Sequence, residues 1–109
     1  MAARKKFSPE EVYQRLEHHP LWVVEHSRIW RDFRFETFTQ ALEFVNRVAE
    51  AAKKIGHHPN IWMHEYHFLR IESYDHLTGG LSSKDVELAV AVDGLAAKMV
   101  KRSRRTSNR

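Results

Sequence analysis

Histidine is the side chain whose ordinary pKa lets it both give and take a proton near neutrality, and this 109-residue chain carries eight. His57 and His58 are adjacent and followed by Pro59, while His76 stands just ahead of Gly79-Gly80. Two neighbouring imidazoles cannot both face a core, so at least one must reach solvent or a cleft. General acid–base catalysis is the chemistry such a set would perform. The triplet His18-His19-Pro20 warns that the same three residues also make ordinary helix ends and turns. Metal binding is the rival reading, since His57, His58, His64, His67 and His76 cluster in sequence. His64 and His67, however, fall in a strand-like stretch that sends them to opposite faces. With no cysteine and no carboxylate at a ligand-like spacing, no metal is expected. Asp85 closes Ser82-Ser83-Lys84-Asp85, where an acid can cap a helix or orient an imidazole, and the two roles are compatible. Trp62 and Tyr66 read as core aromatics or as a stacking surface for a flat heterocycle.

Those residues need elements to hold them. Ser8-Pro9-Glu10-Glu11 has the capping serine, early proline and returning glutamate of a helix start, and Pro20 stops the pattern. Leu21–Glu25 reads as a short strand. Ile29, Phe33 and Phe35, with Arg31 among them, alternate with Trp30, Asp32, Arg34 and Glu36, as in a half-buried antiparallel strand. Thr37-Phe38-Thr39-Gln40 opens a helix whose stripe is Phe38, Ala41, Leu42, Val45, Val48, Ala49, Ala52 and Ile55, with Gly56 as its stop. Strands over Ile61–Glu65 and His67–Ser73 follow. A last helix then begins near Ser82, with Val86, Leu88, Ala89, Val92, Leu95, Ala96 and Met99 apolar. The order α-β-β-α-β-β-α predicts an α+β fold, a four-stranded antiparallel sheet with three helices on one face.

Composition excludes several classes. Apolar residues at 42% support one core in residues 1–100. The absence of cysteine rules out disulfides and thiolate chemistry. No apolar run approaches a membrane span, and none follows the basic residues near Met1, so a cytoplasmic protein without a signal peptide is expected. The net charge of +4 is concentrated in residues 101–109, which carry five basic residues and no acid. That segment reads as a solvated, disordered tail, and nucleic acid is not expected as a partner.

Taken in order, Lys53, His57-His58-Pro59, Tyr66, His76, Gly80-Leu81-Ser82 and Asp85 resemble the signature of the pterin-4a-carbinolamine dehydratases, from about Ser8 to about Val100. The resemblance implies the same α+β fold, assembly into homodimers or homotetramers, and a cytoplasmic enzyme without cofactor. Its members dehydrate 4a-hydroxytetrahydropterin to quinonoid dihydropterin, which serves aromatic amino-acid hydroxylases. It also implies that His57, His58 and His76 form the active site with Asp85 in support. His58 and His76 are expected as the main proton-transfer pair and His57 as the orienting residue. Pro59, Trp62, Tyr74 and Asp75 are expected to border the pterin. Two departures stand out: Asp75 replaces the threonine common before the second catalytic histidine, and Lys53 replaces a residue often acidic. The Asp75 carboxylate would be placed to perturb His76 or the hold on the pterin's polar edge. The same resemblance makes a non-catalytic interaction module on this fold the alternative.

Overall fold

The computed structural model of the protein describes residues 5–107, with side chains through Met99. Helix α1, Pro9–Arg15, starts on the expected capping box: Ser8 Oγ accepts from the Glu11 amide and the Glu11 carboxylate accepts from the Ser8 amide. Strand β1 is only Val23–Val24, shorter than the five residues expected. A turn consumes Leu21 and Trp22, with the Trp22 amide donating to the His19 carbonyl. Strand β2, Ile29–Arg34, leads to helix α2, Phe38–Ile55. Strands β3, Asn60–His64, and β4, Phe68–Ser73, form a hairpin through Glu65 and Tyr66, and helix α3 spans Ser83–Ser107. The backbone of the segment expected to be a disordered tail therefore continues a helix through Ser107. Nothing between Leu95 and Ser107 is glycine or proline, and lysine and arginine are good helix formers. Asn108 and Arg109 lie outside the described residues.

The sheet runs β1-β2-β4-β3 with every neighbouring pair antiparallel, so α2 is a crossover between parallel β2 and β3 that leaves room for β4. The register pairs Arg31 with Ile71 and Phe33 with Leu69, while Ile61 also meets Ile71. Phe33, Leu69, Ile71 and Ile61 pack in one core with Val12 of α1, Leu16 just past its end, Phe44, Val48 and Ala52 of α2, and Leu88, Ala89 and Val92 of α3. All three helices thus cover one face. The α+β fold expected from the sequence is the one observed. The α2 stripe is rotated from the expectation, however. Phe44 is fully buried against Phe33 and Phe35, with ring centroids 4.8 and 5.1 Å away, while Phe38 and Leu42 are exposed.

Arg31 sits on the apolar face because it has a partner there. Its guanidinium donates to Asp93 on α3 at 2.6 Å and lies over the Phe33 ring. The same carboxylate accepts from the Trp22 indole at 2.8 Å and contacts His19 Nδ1 at 2.7 Å. The His18-His19-Pro20 triplet is thus part of a structural knot joining the α1–β1 turn, β2 and α3. No helix among the described residues is long and apolar enough to cross a membrane.

Candidate active site

Gly56 ends α2 in a left-handed conformation (φ 76°), which glycine adopts without a Cβ clash. The amides of Gly56 and His57 then both return to the Ala52 carbonyl, and this tight exit turns the two histidines apart. His57 is buried and His58 is exposed. His57 Nε2 lies 2.8 Å from Asp85 Oδ1 and 3.0 Å from Ser73 Oγ. Ser73 also donates its hydroxyl hydrogen to Asp85 Oδ1. Since an ionised carboxylate only accepts, Nε2 carries the hydrogen toward Asp85. In the neutral ring Nδ1 is then the nitrogen without a hydrogen.

Asp85 is fully buried in the first turn of α3. Its second oxygen accepts from the Ser82 amide at 2.8 Å, the capping contact expected from the sequence, and the positive end of the helix dipole favours its charge there. The capping and imidazole-orienting contacts coexist in this one carboxylate. Lys84 adds a clamp by donating to the Ile55 carbonyl at 2.9 Å, which ties the end of α2 to the start of α3 beside His57.

His76 is exposed, in the loop that follows β4. Asp75 and Gly80 close that loop as an isolated bridge, and Gly79 bends it at φ 73°. The His76 ring centroid lies 4.3 Å from that of Tyr74. Asp75, beside His76, is buried, with only 1% of it exposed. One carboxylate oxygen accepts from the Leu77 amide at 2.9 Å and the other from Ser82 Oγ at 2.6 Å. Trp62 stands in strand β3. It is half exposed on the outer face of the sheet, lining a groove with Arg28, Asp32, Met63, His64, Arg70 and Glu72. Pro59 is half-buried beside the exposed His58. His64 and His67 are not partners: His64 ends β3 while His67 lies in the hairpin. Among the described residues no three histidines or acids are grouped to hold a metal ion.

Ser73 is a site residue missed in the sequence, although a signal existed. Leu69, Ile71 and Ser73 alternate along β4, so a small hydroxyl residue falls on an otherwise apolar face. A buried polar side chain there requires a partner, and Asp85 is that partner.

The chain matches the family described as pterin 4 alpha carbinolamine dehydratase over residues 5–95. A Gloeobacter violaceus protein, named provisionally as a pterin-4-alpha-carbinolamine dehydratase, is 42% identical over 91 residues, covering 80% of this chain and 98% of its own. Among solved structures, a Brucella melitensis protein described as a transcriptional coactivator/pterin dehydratase superposes with a TM-score of 0.76 at 24% identity, over 84% of this chain and 99% of that one. A pterin dehydratase-like protein described as a RuBisCO assembly factor of the alpha-carboxysome superposes at 0.59 and 24% identity, over 72% and 93%. The chain belongs to the pterin-4a-carbinolamine dehydratase family. At this identity the two structures speak for the fold.

Proposed function

We propose that this protein dehydrates a 4a-hydroxytetrahydropterin to the quinonoid dihydropterin and water. The observation that carries the reading is the division of labour among the histidines. His57 is buried with Nε2 fixed by Asp85, while His58 and His76 stand exposed at the ends of neighbouring elements. Dehydration of a carbinolamine requires a base to take the proton from the ring nitrogen as the carbon–nitrogen double bond forms. It also requires an acid to protonate the departing hydroxyl, which leaves as water. His58 and His76 supply the pair, and His57 orients the substrate through Nδ1. Histidine passes protons at neutral pH without a cofactor, and each such group typically contributes about 10²–10⁴-fold. Tyr74, beside His76, offers a ring for the flat heterocycle to lie against.

The test is dehydration of 4a-hydroxytetrahydropterin by the purified protein. His58→Ala and His76→Ala are each expected to lower kcat at least about 100-fold, with stability changed by less than about 0.5 kcal/mol because both positions are exposed. Unchanged rates in both variants would remove these residues from the reaction. A second reading, a protein-interaction module, is favoured by the exposed Phe38 and Leu42 on α2 and by the coactivator and assembly-factor descriptions of the two structural relatives. An inactive wild type that binds a protein partner through α2 would establish that alternative.

A further inference from the structure

The proton-transferring His76 works only at a fixed distance from the substrate that His57 orients, since a displacement of about 1 Å can cost roughly 100-fold in rate. His57 has its anchor in Asp85, but His76 is exposed in a loop beyond the sheet. What fixes it is its neighbour. Asp75 Oδ1 accepts from the Leu77 amide at 2.9 Å, a side-chain-to-backbone turn that spans His76 and restrains its backbone. The Asp75 amide donates to the Gly80 carbonyl at 2.7 Å, and the Asp75 carbonyl accepts from the Gly79 amide at 2.9 Å.

The second oxygen of Asp75 joins this turn to His57. Ser82 donates its hydroxyl to Asp75 Oδ2 at 2.6 Å and its amide to Asp85 Oδ2 at 2.8 Å. Asp85 in turn receives His57 Nε2 on Oδ1. Ser82, fully buried, therefore stands between two carboxylates, one holding each histidine. We infer that Asp75 is a positioning residue, which with Ser82 locks the turn carrying His76 to the helix end that holds His57. Both of its carboxylate oxygens are taken up within the protein, by the Leu77 amide and by Ser82 Oγ. The inference rests on the dehydratase reading for its kinetic consequence, but the lock itself is a property of the free protein.

Two measurements on the full chain test it. Steady-state dehydration is compared for wild type, Asp75→Ala, Asp75→Asn and Ser82→Ala, alongside amide hydrogen exchange at Leu77 and Gly79 without ligand. Asp75→Ala and Ser82→Ala are expected to lower kcat about tenfold or more while KM stays within about threefold, the mark of misplaced catalytic groups. Asp75→Asn keeps an oxygen for Leu77 and an amide for Ser82 Oγ, and should restore kcat to within about threefold of wild type. Exchange at Leu77 and Gly79 should quicken at least about tenfold in Asp75→Ala and much less in Asp75→Asn. A raised KM with unchanged kcat would make Asp75 a substrate contact and overturn the inference. So would exchange rates equal to wild type. Should Asp75→Ala fail to fold, Ser82→Ala and Asp75→Asn decide the outcome by the same criteria. A wild type inactive on the pterin defeats the dehydratase reading, and the lock then stands or falls on the exchange rates.

Discussion

Replacing Asp85 by alanine removes the acceptor of three buried donors at once: His57 Nε2–H, the Ser73 hydroxyl and the Ser82 amide. Hydrogen bonds to a charged group contribute about 1.5–3 kcal/mol each. The helix-terminus interaction adds about 0.3–1 kcal/mol. The three bonds share one carboxylate and are not additive, so the expected loss is about 4–5 kcal/mol. That is a large fraction of the roughly 5–15 kcal/mol that stabilises a domain. It corresponds to a fall in Tm of about 20 °C or more. Asparagine should cost less, about 2 kcal/mol, because its oxygen still serves two donors while its amide confronts the third. The assay is thermal and urea unfolding of wild type, Asp85→Asn and Asp85→Ala at neutral pH. Nitrogen NMR of His57 should accompany it, to read which ring nitrogen is protonated. Losses below about 0.5 kcal/mol in both variants would refute the reasoning. So would a neutral His57 in wild type that carries its hydrogen on Nδ1.

Asp93 holds three donors of its own, and Asp93→Asn should destabilise by about 3 kcal/mol, as breaking a largely enclosed ion pair does. The shift should appear in urea unfolding followed by tryptophan fluorescence, since Trp22 donates to this carboxylate; an unchanged midpoint would count against it. Glu72 is pushed up by burial, but hydrogen bonds from Asn60 and Arg28 and the charge of Arg28 outweigh this and hold it below its ordinary 4.5. Its stabilising effect is therefore fully present above pH 4.5 and fades as pH falls through the lower folded value. Glu72→Gln should thus be less stable than wild type at pH 7, with the gap closing on acidification. A gap independent of pH from 7 to 3 would contradict this.

How much of this was legible in the sequence depended on the range of each interaction. Ser8 and Glu11 meet within one turn, so the capping box was readable from four letters. The same holds for Gly56 and for the Ser82–Asp85 cap. The face of Phe44 was not, because a three- or four-residue spacing admits adjacent stripes and only Phe33 and Phe35 select between them. The expected β1 ran longer than the observed one because the apolar run at 21–24 does not reveal the turn held by His19. Adjacent histidines at 57 and 58 implied one facing in and one facing out. Which faced in was decided by Ser73 and Asp85, 16 and 28 residues away. The partner of Asp75 was hidden for the same reason: its place next to His76 is plain in the sequence, but Ser82, which draws its carboxylate into the interior, lies seven residues on.

Helix α3 carries both Asp85 and Asp93, each gripping a different set of partners from the body. Eight residues of α-helix advance about 12 Å and turn about 80° past two full revolutions. The two acids therefore act like two keyed teeth on one shaft, setting both its axial travel and its angular phase. A helix held by Leu88, Ala89 and Val92 alone would tolerate a small slide. With both teeth engaged, inserting or deleting one residue between them would turn one about 100° against the other. The stretch between Asp85 and Asp93 is thus fixed in length, and the knot around His19 and Trp22 helps set where the acid beneath His57 comes to rest.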